Sequence, residues 1–240
     1  MPDPIRLARR VAELAHCSRG DAELFIQDGW VKVDGVVEES PARLVTDEVV
    51  EIDADAQLKA SEPATVLLHK PADVDAIAGA TPAADLVAPD TRWEGDASGV
   101  RLLQRHSLRL ASLVPLEREA SGLIVLSQDG RVRRRLVEDF DTIEQEFVVE
   151  VDGTLGPWGL SRLSRGLSYE GRVLPPCKVS WQNETRLRFA IKGPRPGQLR
   201  DMCAQVGLQV LSIRRLRIGR ISLAKMPVGL WRYLAPGGKF

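Results

Sequence analysis

Residues 194–234 read PRPGQLRDMCAQVGLQVLSIRRLRIGRISLAKMPVGLWRYL. The stretch opens on a helical segment, GQLRDMCAQVG, with Leu199 and Met202 as apolar positions, and runs directly into a long strand-like segment, LQVLSIRRLRIGRISL. Working outward, further strand-like runs are TVLLHKP from Thr65, GLIVLSQDG from Gly122, EFVVEVDG from Glu146 and LRFAIKG from Leu187. A second helical stretch, VRRRLVEDF, begins at Val132. These strands sit at irregular spacing with few helices between them, which predicts an α+β fold with a mixed, largely antiparallel sheet instead of a doubly wound one.

The N-terminal region has a different grain. Leu7, Val11, Leu14 and Ala15 recur at helical spacing, and a second helix, AELFIQD, follows the cap-type residues Ser18 to Asp21. After Gly29 the pattern becomes period two in WVKVDGVV, with a turn at Asp34-Gly35, and EVVEID closes the segment. A compact helix-helix-hairpin module is expected over residues 1–58. The polar stretch KASEPAT, 59–65, reads as a linker, and residues 66–240 form the second domain. The segment from Ala72 to Arg109, rich in Ala, Asp, Pro and Gly, is the least readable and is expected to hold a long loop or lid.

Composition excludes several classes. The opening residues lack the apolar run of a secretory signal, and no run of about 18 uncharged apolar residues occurs, which predicts a cytoplasmic protein without a membrane span. Cys17, Cys177 and Cys203 lack paired ligand spacing, so neither a zinc site nor a disulfide framework is expected. His16, His69 and His106 lie far apart and form no metal or Ser/His/Asp pattern. Trp30, Trp158, Trp181 and Trp231 are expected in the core, and Trp93 against RNA. The net charge is zero but uneven: Met1 to Ala60 hold seven Lys/Arg against thirteen Asp/Glu, whereas Arg186 to Phe240 hold twelve against one. Two readings of that basic segment stay open: a phosphate-binding surface, or arginines paired with acids elsewhere in the chain.

The N-terminal run RLARRVAELAHCSRGDAELFIQDGWVKVDGVVEES resembles the small RNA-binding domain named for ribosomal protein S-four, the alpha-L motif, across residues 5 to 53. The resemblance implies that Arg6, Arg10, Arg19 and Lys32 face RNA phosphates. Such contacts position RNA without reading its sequence. Ala8 stands where that family commonly has aspartate.

Over most of residues 65 to 240 the chain resembles RNA pseudouridine synthases of the RsuA, RluB and RluF group, because motifs occur in the same order. They are His69-Lys70-Pro71, PLEREASGLIVLSQDG at 115–130, EQEFVVEVDG at 144–153, GLSYEGRVLPPCKV at 166–179, and the 194–234 stretch. The resemblance implies an isomerase that needs no metal or organic cofactor. It detaches uracil from C1′ of a flipped-out nucleotide in ribosomal RNA, turns it, and rejoins it through C5. Carried across, the family's catalytic aspartate falls on Glu117, its stacking tyrosine on Phe147, and its salt-bridging arginine on Arg200. A carboxylate suits an electron-poor sugar, and the arginine keeps it ionised and oriented. Lys70, Arg195, Arg214 and Arg215 are expected to contact RNA.

Departures from the family pattern are Glu117 itself, Phe147, Pro115, Gln145 in place of a usual lysine, and Asp201 in place of an arginine. Glu119, two residues on from Glu117, is a further acid in that loop. The extra methylene of glutamate leaves two outcomes: a synthase that works with glutamate, or an RNA-binding relative without catalysis that acts in ribosome assembly. A monomer bound to ribosomal RNA is expected in either case.

Overall fold

A computed structural model describes residues 3–57, 62–77, 79–80 and 82–240. The first part of the expected linker, 59–61, lies outside the described residues. The chain divides into two compact units, Met1–Pro63 with Arg101–Leu108, and Ala64–Val100 with Arg109–Phe240.

The first unit contains β1 (Ile5–Arg6), α1 (Leu7–Ala15), α2 (Arg19–Gln27), β2 (Val31–Val33), β3 (Val36–Val37), β4 (Leu44–Val45) and β5 (Val50–Ile52). Helix α1 buries Leu7, Ala8 and Val11 against Ala22 and Ile26 of α2 and Val31, Val33 and Val45 of the strands. Ser18 caps α2, its hydroxyl accepting from the Asp21 N–H at 3.1 Å. Asp34 and Gly35, at φ 52° and 79°, make the two left-handed positions that a tight β2–β3 hairpin requires. Ala8 is buried and belongs to this core.

The strap 101–108 completes this unit. Arg101 stacks over Trp30 at 3.9 Å and donates to the Gly29 carbonyl at 2.5 Å, and Arg105 pairs with Asp28. Gly29 is left-handed, and a Cβ there would meet the Leu103 side chain at 2.8 Å. Part of the segment expected as a loop or lid is therefore packed structure.

The second unit runs through β6 (Thr65–Lys70), β7 (Ala111–Leu113), β8 (Ser121–Ser127), α3 (Gly130–Glu138), β9 (Glu144–Asp152), α4 (Gly159–Ser164), β10 (Ser168–Tyr169), β11 (Arg172–Val173), β12 (Lys178–Asn183), β13 (Arg186–Lys192), α5 (Gln198–Ala204), β14 (Gln209–Ile218), β15 (Ile221–Ser222) and β16 (Trp231–Tyr233). Nine strands form one sheet in the order β12-β13-β9-β14-β8-β6-β16, with β15 beside β14 and β7 beside β8. Among the described strands of this sheet, only β14 and β8 pair in parallel, so it is mixed and largely antiparallel, as its spacing predicts.

Period two assigns the faces. Along β9, Gln145, Phe147, Val149 and Val151 are buried, with Leu187, Phe189, Ile191 and Ile213 beside them and Leu163, Leu199, Met202 and Cys203 of α4 and α5 packed on top. Strands β6 and β8 are buried on both faces, which is why TVLLHK and GLIVLS are nearly continuous apolar runs. At the parallel junction Gly122 has φ 113°, and a Cβ there would lie 2.3 Å from the Arg215 carbonyl oxygen. A side chain would separate β8 from β14.

Within 72–100, short 3-10 turns at Ala83–Leu86 and Pro89–Thr91 are pinned to the sheet, and the Trp93 N–H donates to the Trp231 carbonyl at 2.7 Å. Trp93 packs on the core instead of standing free for RNA. Trp231 is buried as expected, but Trp158, at the start of α4, is 76% exposed, and Trp181 is exposed because its strand β12 lies at the edge of the sheet.

Candidate active site

The loop joining β7 to β8 begins with Val114 in a left-handed conformation, φ 52°, and carries Glu117. Two buried cations hold this loop. Lys70, fully buried, donates from Nζ to the carbonyls of Pro71, Val74 and Arg118 at 2.9, 2.7 and 2.9 Å. Burial pushes its ammonium down to about 8, with nearby Asp73 and Asp75 opposing. Arg215 donates from Nε to the Leu123 carbonyl at 2.7 Å, from Nη1 to Gln145 Oε1 at 3.0 Å and from Nη2 to the Val114 carbonyl at 2.6 Å. Each thus ties one end of the Glu117 loop to the sheet.

The Glu117 carboxylate is fixed from the other side by α5. Oε1 accepts from the Gly197 N–H at 2.6 Å, and Oε2 from Arg200 Nε at 3.1 Å. Gly197 has φ 76°, which lets the turn before α5 aim that N–H at the loop. The preceding carbonyl, of Pro196, accepts from the Tyr169 hydroxyl at 2.6 Å. Glu117 sits at a cavity of about 380 Å³ lined mainly by apolar groups, among them Val114, Leu116, Phe147, Leu199 and Ile213. The polar lining comes from Glu117, Gln145, Arg195 and Arg215. A mainly apolar chamber with an oriented carboxylate at its wall suits an aromatic ring attached to a sugar.

Of the predicted catalytic positions, Glu117 and Phe147 line the cavity, and Arg200 reaches it through its bond to Glu117. Glu119 is exposed and outside the lining. Arg6, Arg10, Arg19 and Lys32 are exposed on the first unit, Arg19 pairing with Glu23 at 3.0 Å. Arg195 and Arg214 are exposed on the second. Lys70 and Arg215, expected among the RNA contacts, do not stand on the exposed surface where a phosphate would meet them: both are buried, with donors on backbone carbonyls, because the sheet interior takes Ile213 and Arg215 of β14 and the end of β6.

The basic C-terminal segment resolves the same way in part. Arg217 binds Glu144 at 2.7 Å and Glu146 at 3.1 Å, Arg188 also pairs with Glu146, and Arg186 meets Glu150 at 3.3 Å. These pairs lie on the face of the sheet opposite Phe147. Burial opposes ionisation of Glu146, but the bonds from Arg188 and Arg217 outweigh it and hold its carboxyl below the ordinary range.

Gln145, Tyr169 and Gly197 escaped sequence reasoning as site residues. Gln145 was visible only as a departure from lysine, and the other two act through contacts more than 25 positions away in sequence.

No family model matches the chain. It is 25% identical over 237 residues to the dual-specificity RNA pseudouridine synthase RluF of Escherichia coli (strain K12), covering 98% of this chain and 77% of that one. It is 26% identical over 234 residues to ribosomal large subunit pseudouridine synthase B of Yersinia pestis, covering 95% and 72%. An uncharacterized RNA pseudouridine synthase of Aquifex aeolicus is 26% identical over 234 residues, covering 96% and 92%. The crystal structure of a pseudouridylate synthase superposes with a TM-score of 0.61 at 18% identity over 97% of this chain and 96% of that one, a likeness of fold.

Proposed function

We propose that the chain is an RNA pseudouridine synthase that isomerises a uridine of ribosomal RNA and uses Glu117 as its working carboxylate. The observation that carries this reading is the fixed position of Glu117 at the cavity wall, held by Gly197 and Arg200 and sharing the lining with Phe147. The near full-length similarity to named RNA pseudouridine synthases supports it.

In this reading the target nucleotide leaves its helix and its base enters the cavity, stacking on Phe147. Stacking needs only the π-face, so the hydroxyl of the family's tyrosine is dispensable. Glu117 acts on the sugar, by attack at C1′ or by taking the proton at C2′, while the Arg200 pair and the Gly197 N–H keep it ionised and aimed. The longer glutamate arm is accommodated because Gly197 takes up its far oxygen. The reaction requires no metal or organic cofactor. The exposed Arg6, Arg10, Arg19 and Lys32 of the first unit and Arg195 and Arg214 of the second bind RNA phosphates. The protein acts as a monomer in the cytoplasm. Among the described residues, no helix is long and apolar enough to cross a membrane.

The test is incubation of the purified protein with unmodified ribosomal RNA, then carbodiimide labelling and primer extension, with Glu117→Gln and Glu117→Asp alongside. A new stop with native protein, lost in Glu117→Gln, is the expected result. Binding without a stop, or a stop that appears only with Glu117→Asp, would identify a non-catalytic RNA-binding relative instead.

A further inference from the structure

Arg215 is 1% exposed and has no carboxylate within ion-pair distance among the described residues. Among the described residues it is the one buried arginine; the half-buried Arg217 on the same strand meets Glu144 and Glu146. A cation taken out of water without a facing negative charge is unfavourable, and a counter-charge beside it would relieve that cost. Burial lowers its guanidinium to about 9, which leaves it charged at neutral pH.

Its surroundings indicate where that counter-charge would sit. Three of its five N–H groups are engaged by the Leu123 and Val114 carbonyls and by Gln145 Oε1. Gln145, itself fully buried, spends its oxygen on Arg215, and its Nε2 has no partner among the described residues. Both side chains line the cavity, and Arg215 is the cross-strand neighbour of Phe147. Two donor groups with unengaged hydrogens thus stand beside the ring on which a base would stack, in a cavity lined mainly by apolar groups.

We propose that the Arg215–Gln145 pair receives the oxygen-bearing edge of the uracil base and that Arg215 stabilises the negative charge the base acquires when the C1′–N1 bond breaks. The inference rests on the functional reading above. When that bond breaks, its electron pair leaves with N1. Glu117 becomes neutral in the same step, whether by forming an ester bond to C1′ or by taking the C2′ proton. One negative charge therefore passes from Glu117, beside Arg200, to the base, where it spreads over N1, O2 and O4. When C5 bonds to C1′, Glu117 is released as carboxylate or returns the C2′ proton, and the proton displaced from C5 ends on N1. A cation already in place at the base lowers the barrier because no solvent reorganisation is needed.

The discriminating substitution is Gln145→Glu, which sets a carboxylate where the amide now meets Arg215 at 3.0 Å. A purely structural role for the pair predicts equal or higher thermal stability and unchanged turnover, since the buried cation gains a partner. The proposal predicts equal or higher stability with single-turnover conversion at least tenfold slower and RNA affinity within twofold of native. Gln145→Leu, which leaves Arg215 charged, should fall less than Gln145→Glu. Native conversion with Gln145→Glu equally fast would overturn the inference and leave the functional reading standing. No conversion by native protein would overturn the functional reading, and this inference with it.

Discussion

Glu117 and Gly197 are joined by a 2.6 Å hydrogen bond across 80 positions of sequence, and that bond sets the direction in which the carboxylate faces the cavity. Gly197→Ala tests it. The new Cβ would lie 2.8 Å from the Tyr169 hydroxyl, on a backbone at φ 76° that L side chains disfavour by about 1 kcal/mol. Turnover should fall by about 100-fold, the scale of a 1 Å misplacement of a reacting group. Circular dichroism should show a modest loss of thermal stability, and RNA affinity should hold in a filter-binding assay.

Arg200→Met removes the cation facing Glu117 Oε2 and leaves the apolar stem of the side chain. Because Arg200 does not itself line the cavity, RNA binding should change little while single-turnover conversion falls at least tenfold. Equal conversion by the variant would show that Gly197 alone suffices to hold the carboxylate.

Lys70 and Arg214 should separate cleanly. Lys70→Met strips three part-buried carbonyls of their donor, which should cost about 1–3 kcal/mol in urea unfolding and leave the salt dependence of RNA binding unchanged. Arg214→Ala, at an exposed position, should leave stability within about 0.5 kcal/mol. If Arg214 meets a phosphate, the same substitution reduces the slope of log affinity against log salt by about 1.

Acid stability should depend on Glu146. Its folded pKa lies below the unfolded value of 4.5, so the folded state binds fewer protons than the unfolded one as pH falls through that value. The stability it contributes is present above pH 4.5 and is lost on further acidification through the folded pKa. Native protein should lose unfolding free energy faster below pH 4.5 than Glu146→Gln, which carries no titrating group there. Parallel losses in the two proteins would assign the acid sensitivity to other carboxylates.

The sequence alone determined the strands and the mixed sheet, because apolar runs such as Leu123–Leu126 and the alternation along 145–151 record burial directly. It also placed Glu117, Phe147 and Arg200 in one candidate site through the order of its motifs. The tertiary structure decided which cations are available. Lys70 and Arg215 look the same as Arg214 in sequence, yet strand register turns them inward onto carbonyls and leaves Arg214 outside. It also decided that Arg217 and Arg188 spend their charge on Glu144 and Glu146 of the adjacent strand β9. Hydrophobic periodicity is local and survives in one dimension, whereas charge pairing and hydrogen-bond direction depend on which strands become neighbours, and that is fixed only when the chain closes on itself.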